Sequence, residues 1–187
     1  MLLIRGGRVI DPVREVDEIM DVMIEGSQIV ETGKALKVPA DTEVIDATGL
    51  VVAPGLMDAH VHFRDPGLTY KEDIETGAAA AARGGFTTVV CMANTKPVVD
   101  NLETLSYVQE KGEQTPIHVL QAAAITKGLQ GKELVDMEAL ADAGAAGFTD
   151  DGIPLMDEKL LVQAMEQAKA LGLPLAFNEE DPALMSE

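Results

Sequence analysis

The sequence predicts an α/β protein, a partial (β/α)8 barrel of the TIM type with about five βα units, preceded by a small β-sandwich segment. Strand and helix patterns alternate from residue 55 onwards, which is typical of a parallel sheet with helical crossovers. Polar side chains capable of chemistry follow successive strands, as they do at the carboxyl face of a barrel. No G-x-G-x-x-G motif follows an early strand, which disfavours the doubly wound dinucleotide-binding alternative.

The first predicted domain, residues 1–54, is β-rich and contains glycine turns. The stretch DVMIEGSQIVETG predicts a hairpin that turns at Gly26. The stretch TEVIDATGLVVAPG predicts a second strand pair that turns near Gly49. Pro54 ends this segment and separates it from the second predicted domain, residues 55–187.

The second domain is predicted to contain five strands joined by four helices. The strands are LMDAHVHF, FTTVVCM, IHVLQAAAI, AAGFT and LPLAFN. We expect the first helix to open with a capping box at Thr69 and Glu72. The later helices are expected to begin near Asp100, Glu133 and Asp157, and the last is expected to end at Gly172.

Chain length limits this barrel, because a complete one needs about 250 residues. Five parallel strands would leave the last strand as a bare edge. We therefore expect the chain to be the N-terminal portion of a longer enzyme. The alternative is a five-stranded open α/β domain.

Composition narrows the functional classes. The formal net charge of −18 argues against nucleic acid or an anionic membrane as a partner. No apolar run is long enough for a membrane span, and the N-terminus lacks a signal-peptide pattern. A single cysteine, Cys91, fits a reducing compartment, so a cytoplasmic protein is expected.

The stretch DAHVHFRDPG contains two of the three histidines in the chain. His60 and His62 lie two apart on a strand, so both imidazoles leave the same face and can share one metal ion. The alternative is a pair of polar residues at a strand end. The later stretch GFTDDG supplies carboxylates that can reach the same ion or bridge two ions. A simple turn is the alternative there, and one acid of the pair can ligate while the other caps the following turn.

Together, DAHVHFRDPG, CMANTKP and GFTDDG resemble the class I dihydroorotases of the metal-dependent amidohydrolase superfamily, over essentially the whole chain. The resemblance implies a hydrolase of pyrimidine biosynthesis that reversibly interconverts N-carbamoyl-L-aspartate and L-dihydroorotate with one or two zinc ions. It implies that His60 and His62 ligate one ion and that Asp151 bridges both. It also implies that His62, Arg64 and Asn94 contact the small-molecule substrate.

The chemistry of two of these residues agrees with the resemblance. The guanidinium of Arg64 is a planar fork that matches the free carboxylate of the substrate, and Asn94 offers an amide donor beside it. The alternative for Arg64 is a surface ion pair with Asp65. The alternative for Asn94 is a turn residue before Lys96.

The chain departs from the family pattern after the fifth strand. Asn178 stands where the family usually has a histidine ligand to the second metal, and an amide is a poor zinc ligand. By the resemblance, the general-base aspartate and the remaining metal ligands lie beyond residue 187. We therefore assign no catalytic base within this chain and expect the 187-residue chain alone to be inactive.

Two alternative functions remain open. A hydantoinase- or allantoinase-like amidohydrolase would normally carry a carboxylated lysine after the fourth strand, where this chain has Asp150 and Asp151. A non-catalytic dihydroorotase-like partner of aspartate transcarbamoylase would lack bound metal. For the dihydroorotase interpretation we expect a homo-oligomer, with aspartate transcarbamoylase as a candidate partner.

Overall fold

The computed structural model describes residues 1–178, 180–181 and 183–184. The chain divides into two compact units, Met1–Pro54 and Gly55–Glu187. Within the described part of the chain, every helix is too short or too polar to span a bilayer.

The first unit is a single sheet of five strands. These are β1 (Leu2–Asp11), β2 (Val16–Glu25), β3 (Gln28–Gly33), β4 (Glu43–Asp46) and β5 (Val51–Val52). β2 pairs antiparallel with both β1 and β3, so the hairpin predicted at Gly26 is confirmed. All residues of this unit are described, and they form one sheet instead of the two packed layers of the expected sandwich.

The second predicted strand pair is confirmed in part, because both strands form and a turn lies at Gly49, but the two strands do not pair with each other. β4 and β5 both pair in parallel with β1, at Leu2–Arg5 and Arg8–Val9 respectively. A Cβ added to Gly7 of β1 would lie 2.6 Å from Cγ2 of Val52. Because Gly7 leaves room for this close approach, the two short strands lie one after the other along the same edge of β1.

The second unit contains five parallel strands in chain order. β6 (Leu56–Val61), β7 (Phe86–Cys91) and β8 (His118–Gln121) form one sheet, and β9 (Phe148–Thr149) pairs with β10 (Leu175–Ala176). A parallel bridge between Ala123 and Phe148 links the two groups. The described strands do not close into a barrel, because the first and last strands of this order pair on one side only.

Four helices alternate with these strands, as the sequence predicted. They are α1 (Ile74–Arg83), α2 (Leu102–Gly112), α3 (Met137–Asp142) and α4 (Glu158–Leu171). Each helix connects two consecutive parallel strands and packs apolar side chains into a common core. The largest fully buried apolar side chains of this core, from helices and from the strands and loops between them, are Ile74, Leu105, Ile125, Met137, Leu140 and Phe148.

The first helix begins later than the sequence predicted. Asp73 is the N-cap of α1, and its Oδ1 accepts a hydrogen bond from the backbone N–H of Thr76 at 2.8 Å. An aspartate caps a helix better than a threonine does, so the capping box expected at Thr69 does not form.

Similar corrections apply to the next two helices. The N-cap of α2 is Asn101 instead of Asp100, and α3 begins after Asp136 instead of near Glu133. The predicted limits of α4 are confirmed, because Asp157 caps its first turn and Gly172 ends it with a φ of +69°.

The Asp73 cap gives a direct test of the start of α1. Replacement of Asp73 by Ala should lower the free energy of unfolding by about 1 kcal/mol, the usual cost of losing an N-cap. The matched change Thr69→Ala should leave it unchanged. Urea denaturation of both variants measures the difference, and a larger loss from Thr69→Ala would restore the earlier start.

Candidate metal centre

Two histidines at the carboxyl end of β6 form one side of the site. The ring centroids of His60 and His62 are 5.1 Å apart, with their planes at 67°. Phe63 follows directly and is buried against α1, where a Cβ on Gly77 would lie 2.4 Å from the Phe63 ring. The absence of a side chain at Gly77 therefore lets Phe63 pack tightly and fix the end of the strand.

Asp151, after β9, completes the group. Its Oδ1 lies 3.1 Å from Nε2 of His60, and its Oδ2 lies 3.5 Å from Nε2 of His62. One ligand atom from each residue lies within 4.8 Å of the others. The side chain of His60 is 54% exposed and that of Asp151 is 18% exposed, so the group opens to solvent on the His60 side.

The donor set fits a divalent transition metal. Two imidazole nitrogens and one carboxylate oxygen are the protein donors of many catalytic zinc sites, where the next position is left for water or substrate. The three ligand atoms already lie close enough to one another to contact a single ion. These three side chains can therefore hold an ion without movement of the strands that carry them.

Asn94, after β7, orients two of these ligands. Its Nδ2 donates to Oδ2 of Asp151 at 2.7 Å, which places its Oδ1 3.0 Å from Nδ1 of His62. Because an amide oxygen only accepts, Nδ1 of His62 carries the proton in this pair. Nε2 of His62 is then left with its lone pair, as a metal ligand requires.

Loss of this amide should weaken metal binding. Replacement of Asn94 by Ala is expected to reduce zinc affinity by about 10- to 100-fold, the usual effect of removing a group that orients a ligand. Competition with a chromophoric chelator measures the affinity. The control is Asn101→Ala, which removes the N-cap of α2 without touching a ligand and should leave zinc affinity unchanged. Equal affinities for the two variants would contradict the assignment.

The neighbouring acid points elsewhere. Asp150 is buried, and its Oδ1 accepts hydrogen bonds from the backbone N–H groups of Ile125 and Thr126 at 2.8 and 3.0 Å. Its Oδ2 accepts from the hydroxyl of Thr126. Burial raises the pKa of Asp150, although these hydrogen bonds oppose the rise. Asp150 therefore connects the segment after β8 to the end of β9. The sequence had predicted a different role for one of the two acids, as a cap on the turn that follows.

Arg64 lies in the loop after β6 and is half-buried, with a φ of +60°. The alternative ion pair with Asp65 is absent, because the Asp65 carboxylate accepts from Tyr107 and Lys111 of α2. Among the residues that the structure describes, Arg64 takes part in no ion pair. No described acid therefore competes with an anionic ligand for its guanidinium.

Two further residues bear on the chemistry. Asn178 follows β10, and its Nδ2 donates to Oε2 of Glu180 at 3.4 Å. The effect of Asn178 on a second metal site stays a prediction. Burial raises the pKa of Cys91 to about 12. The Cys91 thiol is therefore protonated at neutral pH and belongs to the core, as its apolar strand indicated.

Sequence reasoning missed three polar residues that support the site. These are Tyr107, Lys111 and Thr126, which contact the two buried carboxylates at Asp65 and Asp150. The four-residue spacing of Tyr107 and Lys111 places them on one face of a helix, which was the only available signal.

Solved structures with the same fold are amidohydrolases. L-hydantoinase from Arthrobacter aurescens matches with a TM-score of 0.79 at 22% identity, over 93% of this chain and 39% of that chain. D-hydantoinase from a Thermus species matches with a TM-score of 0.74 at 28% identity, over 94% and 39%. A dihydroorotase matches with a TM-score of 0.60 at 18% identity, over 93% and 49%. Fold and site therefore define an amidohydrolase-type protein.

The chain belongs to the dihydro-orotase-like family, whose profile matches residues 49–186. It is 62% identical to the dihydroorotase of Clostridioides difficile (strain 630) over 185 residues, which are 99% of this chain and 44% of that protein. It is 55% identical to the dihydroorotase of Clostridium acetobutylicum over 187 residues, again 44% of the relative. The chain thus spans less than half the length of the relatives it matches.

Proposed function

We propose that the chain is the N-terminal portion of a dihydroorotase that interconverts N-carbamoyl-L-aspartate and L-dihydroorotate in pyrimidine synthesis. The observation that carries the proposal is the convergence of His60, His62 and Asp151 within 4.8 Å, from strands far apart in the sequence. The identity of 62% to a dihydroorotase supports the assignment of this reaction to the three converging residues.

The fold fits an incomplete barrel. Five parallel strands follow one another in chain order, and a helix connects each to the next. We propose that residues 55–187 form the first part of a (β/α)8 barrel and that residues 1–54 form a separate β-domain. The ligands then lie at the carboxyl ends of β6 and β9, the face where barrel enzymes carry their chemistry.

We propose zinc as the metal, with His60 and His62 holding one ion and Asp151 shared with a second. Bound zinc would supply a Lewis acid and a water of lowered pKa near 7. The residues of this chain supply the rest of the geometry. Asn94 accepts a hydrogen bond from Nδ1 of His62, which leaves Nε2 as the ligand nitrogen, and its Nδ2 holds one oxygen of Asp151 in place.

Arg64 is proposed to bind the free carboxylate that the substrate keeps beside the reacting amide. Its planar guanidinium matches a carboxylate in two parallel hydrogen bonds, and no described acid competes for it. A contact between Asn94 and the substrate stays part of the proposal. The enzyme is proposed to act in the cytoplasm, and a homo-oligomer or a complex with aspartate transcarbamoylase remains a prediction.

The test is a substrate comparison on the complete polypeptide that contains these residues. We expect the zinc-loaded protein to hydrolyse L-dihydroorotate and to form it from N-carbamoyl-L-aspartate, and a chelator to abolish both reactions. Hydantoin and allantoin are the control substrates, because solved hydantoinases share the fold. Preference for either control substrate would favour the hydantoinase alternative, and a stable protein without bound metal would favour the non-catalytic partner.

A further inference from the structure

A buried acid lies beside the arginine that is proposed to bind substrate. Arg64 and Asp65 are consecutive residues of opposite charge, and the loop that carries them follows the two histidines directly. An adjacent carboxylate could pair with the Arg64 guanidinium and compete with an anionic ligand. The structure shows how this competition is avoided, and the inference drawn here rests on the proposed function of Arg64.

Helix α2 provides both partners of the Asp65 carboxylate. The Asp65 side chain has 0% of its surface exposed. Its Oδ1 accepts a hydrogen bond from the Tyr107 hydroxyl at 2.9 Å, and its Oδ2 accepts one from Nζ of Lys111 at 2.7 Å. Both carboxylate oxygens are therefore bound on the side of α2, and the negative charge is matched by a cation.

The two partners act from one helix face. Tyr107 and Lys111 are four residues apart on α2, which brings their side chains together. Nζ of Lys111 lies 5.2 Å from the centroid of the Tyr107 ring. The hydrogen bond to Asp65 is the largest of the causes that raise the pKa of Lys111, so the ammonium stays charged at neutral pH.

The loop itself has little freedom to turn Asp65 around. The backbone N–H of Lys96 donates to the carbonyl oxygen of Pro66 at 3.0 Å. Gly67 has a φ of +86°, and a Cβ there would lie 1.7 Å from the carbonyl oxygen of Lys96. Phe63 is also buried, and this backbone holds Asp65 inward, while Arg64 is half-buried and pairs with no acid among the described residues.

We propose that Lys111 and Tyr107 are positioning residues that sequester the Asp65 carboxylate and so keep the Arg64 guanidinium free for the carboxylate of the substrate. Loss of the Lys111 cation leaves Asp65 in need of a new partner, and Arg64 is the adjacent cation.

The test compares four forms of the complete enzyme: wild type, Lys111→Met, the double variant Lys111→Met with Asp65→Asn, and the control Lys169→Met on α4. We expect Lys111→Met to raise the KM for L-dihydroorotate at least tenfold, with kcat within threefold and bound metal unchanged. Removal of the competing charge in the double variant should return KM to within threefold of wild type. Lys169→Met should change neither constant.

The double variant separates sequestration from a merely structural role. If Lys111 only stabilised the fold, the double variant would be at least as impaired as the single one, and that result would overturn the inference. An unchanged KM in folded Lys111→Met would overturn it as well. If Lys111→Met does not fold, Tyr107→Phe is used in its place. We expect Tyr107→Phe to raise KM two- to fivefold, and the additional change Asp65→Asn to reverse this rise. An unchanged KM in Tyr107→Phe would overturn the inference.

A second readout needs neither turnover nor metal. The Nε–H resonance of Arg64 should shift in Lys111→Met, as Asp65 pairs with the guanidinium, and should return in the double variant. An unshifted resonance in folded Lys111→Met would overturn the inference. A protein with the expected shifts that does not act on L-dihydroorotate would refute the proposed function and leave the sequestration standing.

Discussion

Replacement of Asp151 by Asn is expected to remove the bound metal and to lower kcat/KM for L-dihydroorotate by about 1000-fold, or about 4 kcal/mol. Asp151 is the only anionic member of the described ligand group, and its two oxygens face different histidines. An amide carries no charge and is a poor ligand for zinc, so the two imidazoles alone would have to retain the ion.

The fold should survive this change. Asn at position 151 keeps a carbonyl oxygen that can accept from Nδ2 of Asn94, the bond that Asp151 accepts at 2.7 Å. Metal content by atomic spectroscopy, kcat/KM and the urea midpoint are measured together. The matched control is Asp142→Asn, an exposed acid at the end of α3, which should affect none of the three. Full metal occupancy in Asp151→Asn would remove Asp151 from the ligand set.

The order of strands and helices could be predicted because it depends on local patterns. Apolar runs and helical periodicity are patterns of contiguous residues, so they can be recognised in the sequence. For α4 the sequence also predicted both limits correctly, at Asp157 and Gly172. The pairing of β4 and β5 could not be predicted in this way. Both strands add to β1, and that choice depends on the space beside Gly7, which is a tertiary contact.

The site was predictable to a similar degree. The spacing of His60 and His62 on a strand indicates one shared face, and a barrel-like strand order brings a later acid to the same edge. The bridge from Asn94 to both His62 and Asp151 depends on the alignment of the ends of β6, β7 and β9, which no short motif encodes. The partners of a buried carboxylate are likewise set by packing between elements, so local sequence cannot identify them.

The second large effect concerns stability. Replacement of Asp150 by Ala should lower the free energy of unfolding by at least about 3 kcal/mol, since each buried donor left unpaired costs about 1–3 kcal/mol. Three donors lose their acceptor: the N–H groups of Ile125 and Thr126 and the hydroxyl of Thr126. Both residues are fully buried, so water cannot replace the carboxylate without opening the segment after β8.

Asp150→Asn is the matched variant, because the amide carbonyl oxygen can still accept hydrogen bonds from the two backbone N–H groups. Its free energy of unfolding should therefore decrease less than that of Asp150→Ala. Burial raises the pKa of Asp150 above its ordinary value of 3.8, so the native state binds a proton more tightly than the unfolded state does. The contribution of this group to stability is therefore fully present below pH 3.8 and declines as the pH rises through the native pKa.

Urea denaturation at a series of pH values from about 3 to about 7 measures both effects. The free energy of unfolding of wild type, relative to Asp150→Asn, should be largest at the acid end and decline toward neutral pH. A wild-type advantage that grew with pH would show that the hydrogen bonds from Ile125 and Thr126 outweigh burial at this carboxylate. Asp151→Asn, by contrast, should leave the free energy of unfolding of the metal-free protein nearly unchanged. The two adjacent acids have separable roles, because Asp150 stabilises the fold through its buried hydrogen bonds and Asp151 is the proposed metal ligand.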